Sequence, residues 1–99
     1  MVNKELFIKL NEYKSKVSEV LDISEMYLFG SFARDNANEN SDIDIAVILN
    51  KPKDDFLSDS TTLWKLRRKI DLRIEPVLFQ SESDPSGFID EIKKTGILI

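Results

Sequence analysis

The sequence contains no cysteine and no histidine among its 99 residues. Without cysteine, the chain has no disulfide framework and no thiolate ligands for a metal. Without histidine, it has no imidazole base, no histidine-bound zinc and no Ser-His-Asp triad. Any catalytic chemistry therefore depends on carboxylates, hydroxyl groups, lysine and arginine.

Long apolar runs and concentrations of positive charge are also missing. No apolar run approaches the length of a membrane span, and no charged-then-apolar leader opens the chain. The net charge is -4, and the basic residues are interspersed among the acidic ones, whereas a nucleic-acid binder needs a basic stripe to neutralise phosphates. We therefore expect a cytoplasmic protein that contacts no membrane and binds no nucleic acid directly.

The length and the apolar content predict one globular domain over residues 1–99. The apolar fraction of 41% is ordinary for a folded domain and too high for a disordered chain. A chain of this size buries a modest core and keeps little surface with which to enclose a substrate.

Hydrophobic periodicity predicts helices and strands that are mixed along the chain. We expect helices at 4–21 and 58–69 and a last one from Phe88 to a stop at Gly96, with strands at 26–29, 42–49 and 70–79. The apolar tail at 97–99 is either a fourth strand or packing. This order predicts an α+β or α/β fold whose first two strands lie side by side.

A Gly-Ser turn and an Asp-x-Asp pair carry the most chemical information. Asp42 and Asp44 lie two apart in a predicted strand, so both side chains point to one face, where they repel each other unless a cation lies between them. Mg²⁺ prefers one or two carboxylates together with phosphate oxygens. Gly30 lets the backbone approach a ligand closely, and Ser31 offers a hydroxyl and an amide to a phosphate. Alone, the acids are also compatible with a solvated edge strand and the glycine with a plain turn, but their combination predicts a nucleotide site.

Three further residues are candidates for the same site. Asp71 or Glu75 would add a third carboxylate if the third strand neighbours the second. We favour Asp71, because it opens the predicted third strand at the level of the Asp pair; the alternative is a solvated strand face on which Arg73 pairs with both acids. Arg34, just after the Gly-Ser turn, either holds a phosphate or lies on the surface.

These motifs resemble the minimal nucleotidyltransferase branch of the DNA polymerase beta-like nucleotidyltransferase superfamily. The resemblance is carried by "LFGSFAR", by "SDIDIAV" ten residues after the serine, and by "KIDLRIEPVLF". It implies an α+β fold, in which helices pack on one face of a small mixed sheet. It also implies that Gly30, Ser31 and Arg34 bind the nucleotide and that Asp42, Asp44 and Asp71 hold two Mg²⁺ ions, or Mn²⁺, with Asp71 also acting as general base.

The resemblance implies a Mg²⁺-dependent transfer of a nucleoside monophosphate, AMP from ATP, to a hydroxyl acceptor. Members of this branch are frequently partnered with a helical HEPN-type protein, and some are antitoxins that transfer AMP onto a tyrosine of a HEPN toxin. The alternatives are a non-catalytic antitoxin with a vestigial site and transfer to a small molecule. A homo- or hetero-oligomer is expected. Asp35 stands where the family often has glycine, which we expect to alter the turn and weaken nucleotide affinity.

Overall fold

The computed structural model describes residues 4–34, 37–38, 40–50, 56–79 and 86–99. None of the helices in these ranges is long and apolar enough to cross a membrane. The elements are, in chain order, helix α1 (Lys4–Val20), strands β1 (Ile23–Phe29) and β2 (Ile43–Leu49), helix α2 (Phe56–Leu66) with a 3₁₀ turn at Arg67–Lys69, strand β3 (Ile74–Phe79), helix α3 (Phe88–Thr95) and strand β4 (Ile97–Leu98).

The strands form one mixed sheet in the order β3-β2-β1-β4. Strand β1 is antiparallel to both β2 and β4, and β3 is parallel to β2. The adjacency of the first two strands is confirmed, and the apolar tail is a fourth strand. Strand β3 lies at an edge, where Pro76 is tolerated because its missing N–H need not join a second ladder.

Helices α1 and α2 cover one face of this sheet. The helical stripe Leu6, Leu10, Tyr13 and Val17 is buried against Ile43, Ile45 and Val47 of β2 and against Leu63 of α2. The Tyr13 hydroxyl donates a hydrogen bond of 2.8 Å to the Leu63 carbonyl, which satisfies the polar atom that comes with a large buried ring. Burial raises the pKa of Tyr13 well above its ordinary value.

Helix α3 lies on the opposite face of the sheet. Its Ile89 and Ile92 pack with Tyr27, Ala46 and Ile48, which alternate with the residues of the first core. The expected α+β class and mixed sheet are confirmed, but the expectation that the helices share one face is wrong for α3. The second half of β2 is apolar on both sides, so its second face also has to be covered.

Strand β3 begins later than the periodicity predicts. The alternation from Ile70 suggests a strand, but the structure has a turn before Ile74. The Asp71 carboxylate accepts the backbone N–H of Arg73 at 2.9 Å, and the Asp71 carbonyl accepts the N–H of Ile74 at 3.1 Å. Such side-chain-to-backbone bonds of aspartate compete with a strand ladder. This difference of four residues changes which acid reaches the site.

Candidate active site

The Gly-Ser turn lies in direct contact with one of the two aspartates. Strand β1 ends at Gly30, which has a φ of 74°, and its neighbour Phe29 pairs with Asp44 of β2. A Cβ atom added to Gly30 would lie 2.2 Å from Oδ2 of Asp44. Glycine is thus required at this position for two reasons: the backbone is left-handed, and the Asp44 carboxylate leaves no room for a Cβ atom. The sequence predicts this proximity, and the antiparallel pairing of β1 and β2 produces it.

The segment after Gly30 forms one helical turn. The backbone N–H of Arg34 donates to the carbonyl of Gly30 at 3.1 Å. Phe32 is buried in the first core and anchors the turn to the body of the protein. Arg34 is exposed, and its charge lowers the pKa of Asp44, so the guanidinium lies near enough to the carboxylate to act on it. Asp35 lies outside the described residues.

The negative charges of Asp42 and Asp44 repel each other, as the Asp-x-Asp spacing predicts. Asp42 is exposed just before β2, and Asp44 is half-buried within it. Burial raises the pKa of Asp44, the negative charge of Asp42 raises it further, and Arg34 opposes both effects. The site therefore concentrates negative charge on one face of β2, beside the Gly-Ser turn.

Glu75 is the acid of β3 that lies next to this pair. In the parallel register of β2 and β3, Glu75 lies opposite Asp44. Burial raises the pKa of Glu75, and the charges of Asp42 and Asp44 add to that effect. The signal in the sequence was the match of the core-facing residues Ile43 and Ile45 to Ile74 and Pro76, which brings Glu75 level with Asp44.

Asp71 is held in an ion pair with Arg73 and Lys9. Its carboxylate accepts from the Arg73 guanidinium at 2.8 Å and 3.1 Å and from Lys9 of α1 at 3.4 Å, with only 9% of the side chain exposed. The guanidinium of Arg73 also lies 5.8 Å from the ring centre of Phe32. The hydrogen bond from Arg73 is the main cause that lowers the pKa of Asp71 to about 2. Asp71 thus links α1 to the turn before β3, and its role as the third carboxylate stays a prediction.

This ion pair makes the stability depend on pH. The pKa of Asp71 is lower in the folded chain than in the unfolded one, so its charged form contributes stability that is complete above about pH 5 and is lost as the pH falls toward about 2. We expect Asp71→Asn to lower the free energy of unfolding by roughly 1–2 kcal/mol at pH 7, and the deficit to shrink steadily below pH 5. Urea unfolding at a series of pH values measures this.

The control for that series is Glu12→Gln, which removes an exposed carboxylate from α1. It should change the free energy of unfolding by less than about 0.5 kcal/mol at each pH. A deficit of Asp71→Asn that stays constant from pH 7 to pH 3 would contradict the ion pair.

The donor set at Asp42 and Asp44 fits a divalent cation of the Mg²⁺ type. Two mutually repelling carboxylates supply hard oxygen ligands next to a turn with free backbone donors. Across the described ranges, no three acidic side chains are arranged to hold a metal ion by themselves. Mg²⁺ is commonly bound by one or two carboxylates with phosphate oxygens and water, so this pair suits an ion that arrives with a polyphosphate.

Comparison with known proteins identifies the fold and its chemistry. The family model described as polymerase beta, nucleotidyltransferase matches residues 9–99. The chain belongs to the polymerase beta nucleotidyltransferase family. The resemblance noted from the sequence is confirmed, and the activity class is that of a nucleotidyltransferase. A curated "putative protein adenylyltransferase" of Methanocaldococcus jannaschii is 27% identical to it over 94 residues, which are 89% of this chain and 92% of that protein.

Two solved structures share the fold of this nucleotidyltransferase. A toxin-antitoxin complex with AMP-PNP superimposes with a TM-score of 0.68 at 25% identity, over 97% of this chain and 72% of that one. A mutant of the toxin-antitoxin pair MntA-HpeT superimposes with a TM-score of 0.61, also at 25% identity, over 100% of this chain and 72% of that one. These likenesses place the nucleotidyltransferase among proteins that include members of toxin-antitoxin pairs.

Proposed function

We propose that the protein transfers AMP from ATP to a hydroxyl group of a helical partner protein of the HEPN type. The observation that carries the proposal is the contact between the Gly30 turn and the Asp44 carboxylate, because it brings a phosphate-binding turn to a cation-binding acid. The names of the similar proteins support the donor and the acceptor class: one is named a "putative protein adenylyltransferase", and one is a toxin-antitoxin complex with AMP-PNP, an analogue of ATP.

In this proposal the β1 side of the site binds the β- and γ-phosphates of ATP, which leave as pyrophosphate. The backbone of Gly30 and the hydroxyl and amide of Ser31 bind the β- and γ-phosphates, and Arg34 adds a positive charge. Asp42 and Asp44 hold the Mg²⁺ that accompanies ATP, with Mn²⁺ as a substitute. Bound there, the metal supplies charge neutralisation for the phosphates and a lowered pKa for the acceptor hydroxyl.

The β3 side of the site receives the acceptor. In-line attack places the incoming oxygen opposite the leaving pyrophosphate, and strand β3 lies on the side of β2 opposite β1. Glu75 stands there, beside Asp44, and takes the proton of the acceptor hydroxyl. A bond forms between the acceptor oxygen and the α-phosphorus, the bond from that phosphorus to the bridging oxygen breaks, and pyrophosphate leaves with the electron pair.

The partner completes the site. Asp42 is exposed and Asp44 only half-buried, and in this proposal the partner supplies the wall that covers them. This agrees with the proposed acceptor, because the protein that covers the site would also present the hydroxyl.

Label transfer tests the proposal. The protein, Mg²⁺ and a helical HEPN-type protein are incubated with ATP labelled at the α-phosphate, and the label is expected on the HEPN-type partner. ATP labelled at the γ-phosphate should leave no label, because the terminal phosphates depart as pyrophosphate. If the partner carried no α-label and the protein still suppressed the toxicity of the partner, the result would instead favour an antitoxin that acts by contact alone.

Two matched variants locate the general base. We expect Glu75→Gln to slow the transfer by roughly 10²- to 10⁴-fold, the usual contribution of general acid–base catalysis. Asp71→Asn, which removes an equivalent charge from the ion pair with Arg73, should retain the wild-type rate below its melting temperature. The opposite ranking of the two variants would return the role to Asp71.

A further inference from the structure

The ring of Phe88 lies between rings of β1 and β3, over strand β2. Its centre is 5.9 Å from that of Phe29 on β1, at 88°, and 5.9 Å from that of Phe79 on β3, at 72°. Phe29 pairs with Asp44 and Phe79 with Ile48, so the point of β2 between them is Ala46. The small side chain of Ala46 leaves room for the ring above the strand.

This part of the sheet face is apolar and open. Phe88 is 46% exposed, and Val77, which pairs with Ala46, is 39% exposed. Further along the same face, Ile89 and Ile92 of α3 bury Tyr27 and Ile48. On this face of β3, Val77 follows Glu75, and Phe79, which Phe88 contacts, follows Val77. We call the two exposed apolar side chains, Val77 and Phe88, the apolar shelf.

The shelf lies one short step from the reacting phosphate. Ala46 is two residues beyond Asp44, roughly 7 Å along a strand. In the proposed reaction the pyrophosphate lies toward β1 and the acceptor toward β3, so the ribose has to leave the α-phosphate along β2. In one direction along β2 lies the exposed Asp42, and in the other lies the shelf.

We propose that Val77 and Phe88 bind the base of the donor nucleotide, with the Phe88 ring as its stacking surface. This inference rests on the proposed function and adds the way in which the base is recognised. The two side chains offer aromatic and aliphatic surface and no hydrogen-bonding groups. Stacking tolerates every base because each has a π-face, and it grows with ring area. The protein therefore binds ATP and GTP with similar affinity and CTP and UTP more weakly.

Titration calorimetry with two ligands tests the shelf. MgATP and magnesium inorganic triphosphate, which has no base, are titrated into the wild type and into Phe88→Leu and Phe88→Tyr. Phe88→Leu keeps apolar volume for packing but removes the ring, so the Kd for ATP should rise at least about 5-fold while the Kd for triphosphate stays unchanged. Phe88→Tyr should retain wild-type affinity for both. Trp64→Leu removes another half-exposed ring, on α2 across the sheet, and should alter neither Kd.

The outcomes separate this inference from the proposed function. Unchanged ATP affinity in Phe88→Leu, with loss of both ligands in Asp44→Ala, would overturn the shelf and leave the nucleotide site standing. Equal weakening of ATP and triphosphate in Phe88→Leu would also overturn it, because the ring would then act only through packing. If the wild type bound neither ligand, the proposed function itself would fail. A slower transfer to the partner with unchanged ATP affinity would assign the shelf to the acceptor and reject it as a base site.

Discussion

Asp44→Asn is expected to lower nucleotidyl transfer by roughly 10³-fold or more without lowering the melting temperature. The carboxylate would supply a ligand to the cation that neutralises the reacting phosphates, a contribution of several kcal/mol to the barrier. Stability should hold, because burial and the charge of Asp42 raise the pKa of Asp44, so the folded chain disfavours the charge that the variant removes.

Two measurements check this expectation. The first is the rate of α-label transfer, with Asp22→Asn as the control, because Asp22 is an exposed acid just before β1, at the end of that strand away from Gly30. The second is the melting temperature with and without millimolar Mg²⁺. Binding to the folded state raises the melting temperature of the wild type, and this rise should disappear in Asp44→Asn. Transfer at the wild-type rate in Asp44→Asn would contradict the proposed catalytic site.

The second large effect is expected from Gly30→Ala. A Cβ atom at this position would lie 2.2 Å from Oδ2 of Asp44 and 3.1 Å from its Cγ. The carboxylate ends a short side chain that has to turn away, so the substitution displaces the proposed metal ligand and narrows the phosphate-binding turn at the same time. We expect a loss of transfer comparable to that of Asp44→Asn, measured in the same assay. The left-handed backbone adds a loss of stability of about 1–2 kcal/mol.

Gly87→Ala is a matched control for the stability change. Gly87 has a φ of 76°, almost the value of Gly30, but a Cβ atom there meets no atom of the described residues within 4 Å. Its cost in unfolding free energy therefore measures the backbone conformation alone. Gly30→Ala should cost about 1–3 kcal/mol more, the usual range for an overpacked site. Made in an Asp44→Ala background, Gly30→Ala should cost about as much as Gly87→Ala; an excess that persists would mean that the conflict is not with this carboxylate.

Much of the fold was predictable from local patterns. The stripe of α1, the apolar β2 and the glycine at the end of β1 each agree with their own neighbours in sequence, so periodicity and turn chemistry were sufficient. The contact of Gly30 with Asp44 also followed, because a short connection between two strands favours their pairing. The side on which α3 packs depended instead on the second apolar face of β2, which a single pattern does not assign to a helix.

The sequence favoured Asp71 over Glu75 because two local signals conflict between Ile70 and Glu75. Alternation of apolar and charged residues favours a strand, while an aspartate two residues before an arginine can close a turn on its own backbone. The turn prevails through a tertiary contact, the ion pair of Asp71 with Lys9 of α1, which lies 62 residues away in sequence. Local sequence patterns do not reveal a contact between residues so far apart in the chain. The same turn sets where β3 begins, and Glu75 of β3 pairs with Asp44.

Strand β2 pairs antiparallel with β1 and parallel with β3, and this difference affects the order in which the protein folds. The Gly30 turn and Asp44 meet through an antiparallel pair of consecutive strands, whereas Glu75 reaches Asp44 only through a parallel pair that spans helix α2. Closing the longer loop costs more chain entropy, so nucleation should begin at the antiparallel ribbon and the parallel strand should dock afterwards. A nascent chain released before residue 75 would thus carry the turn proposed to bind phosphate and lack the proposed general base.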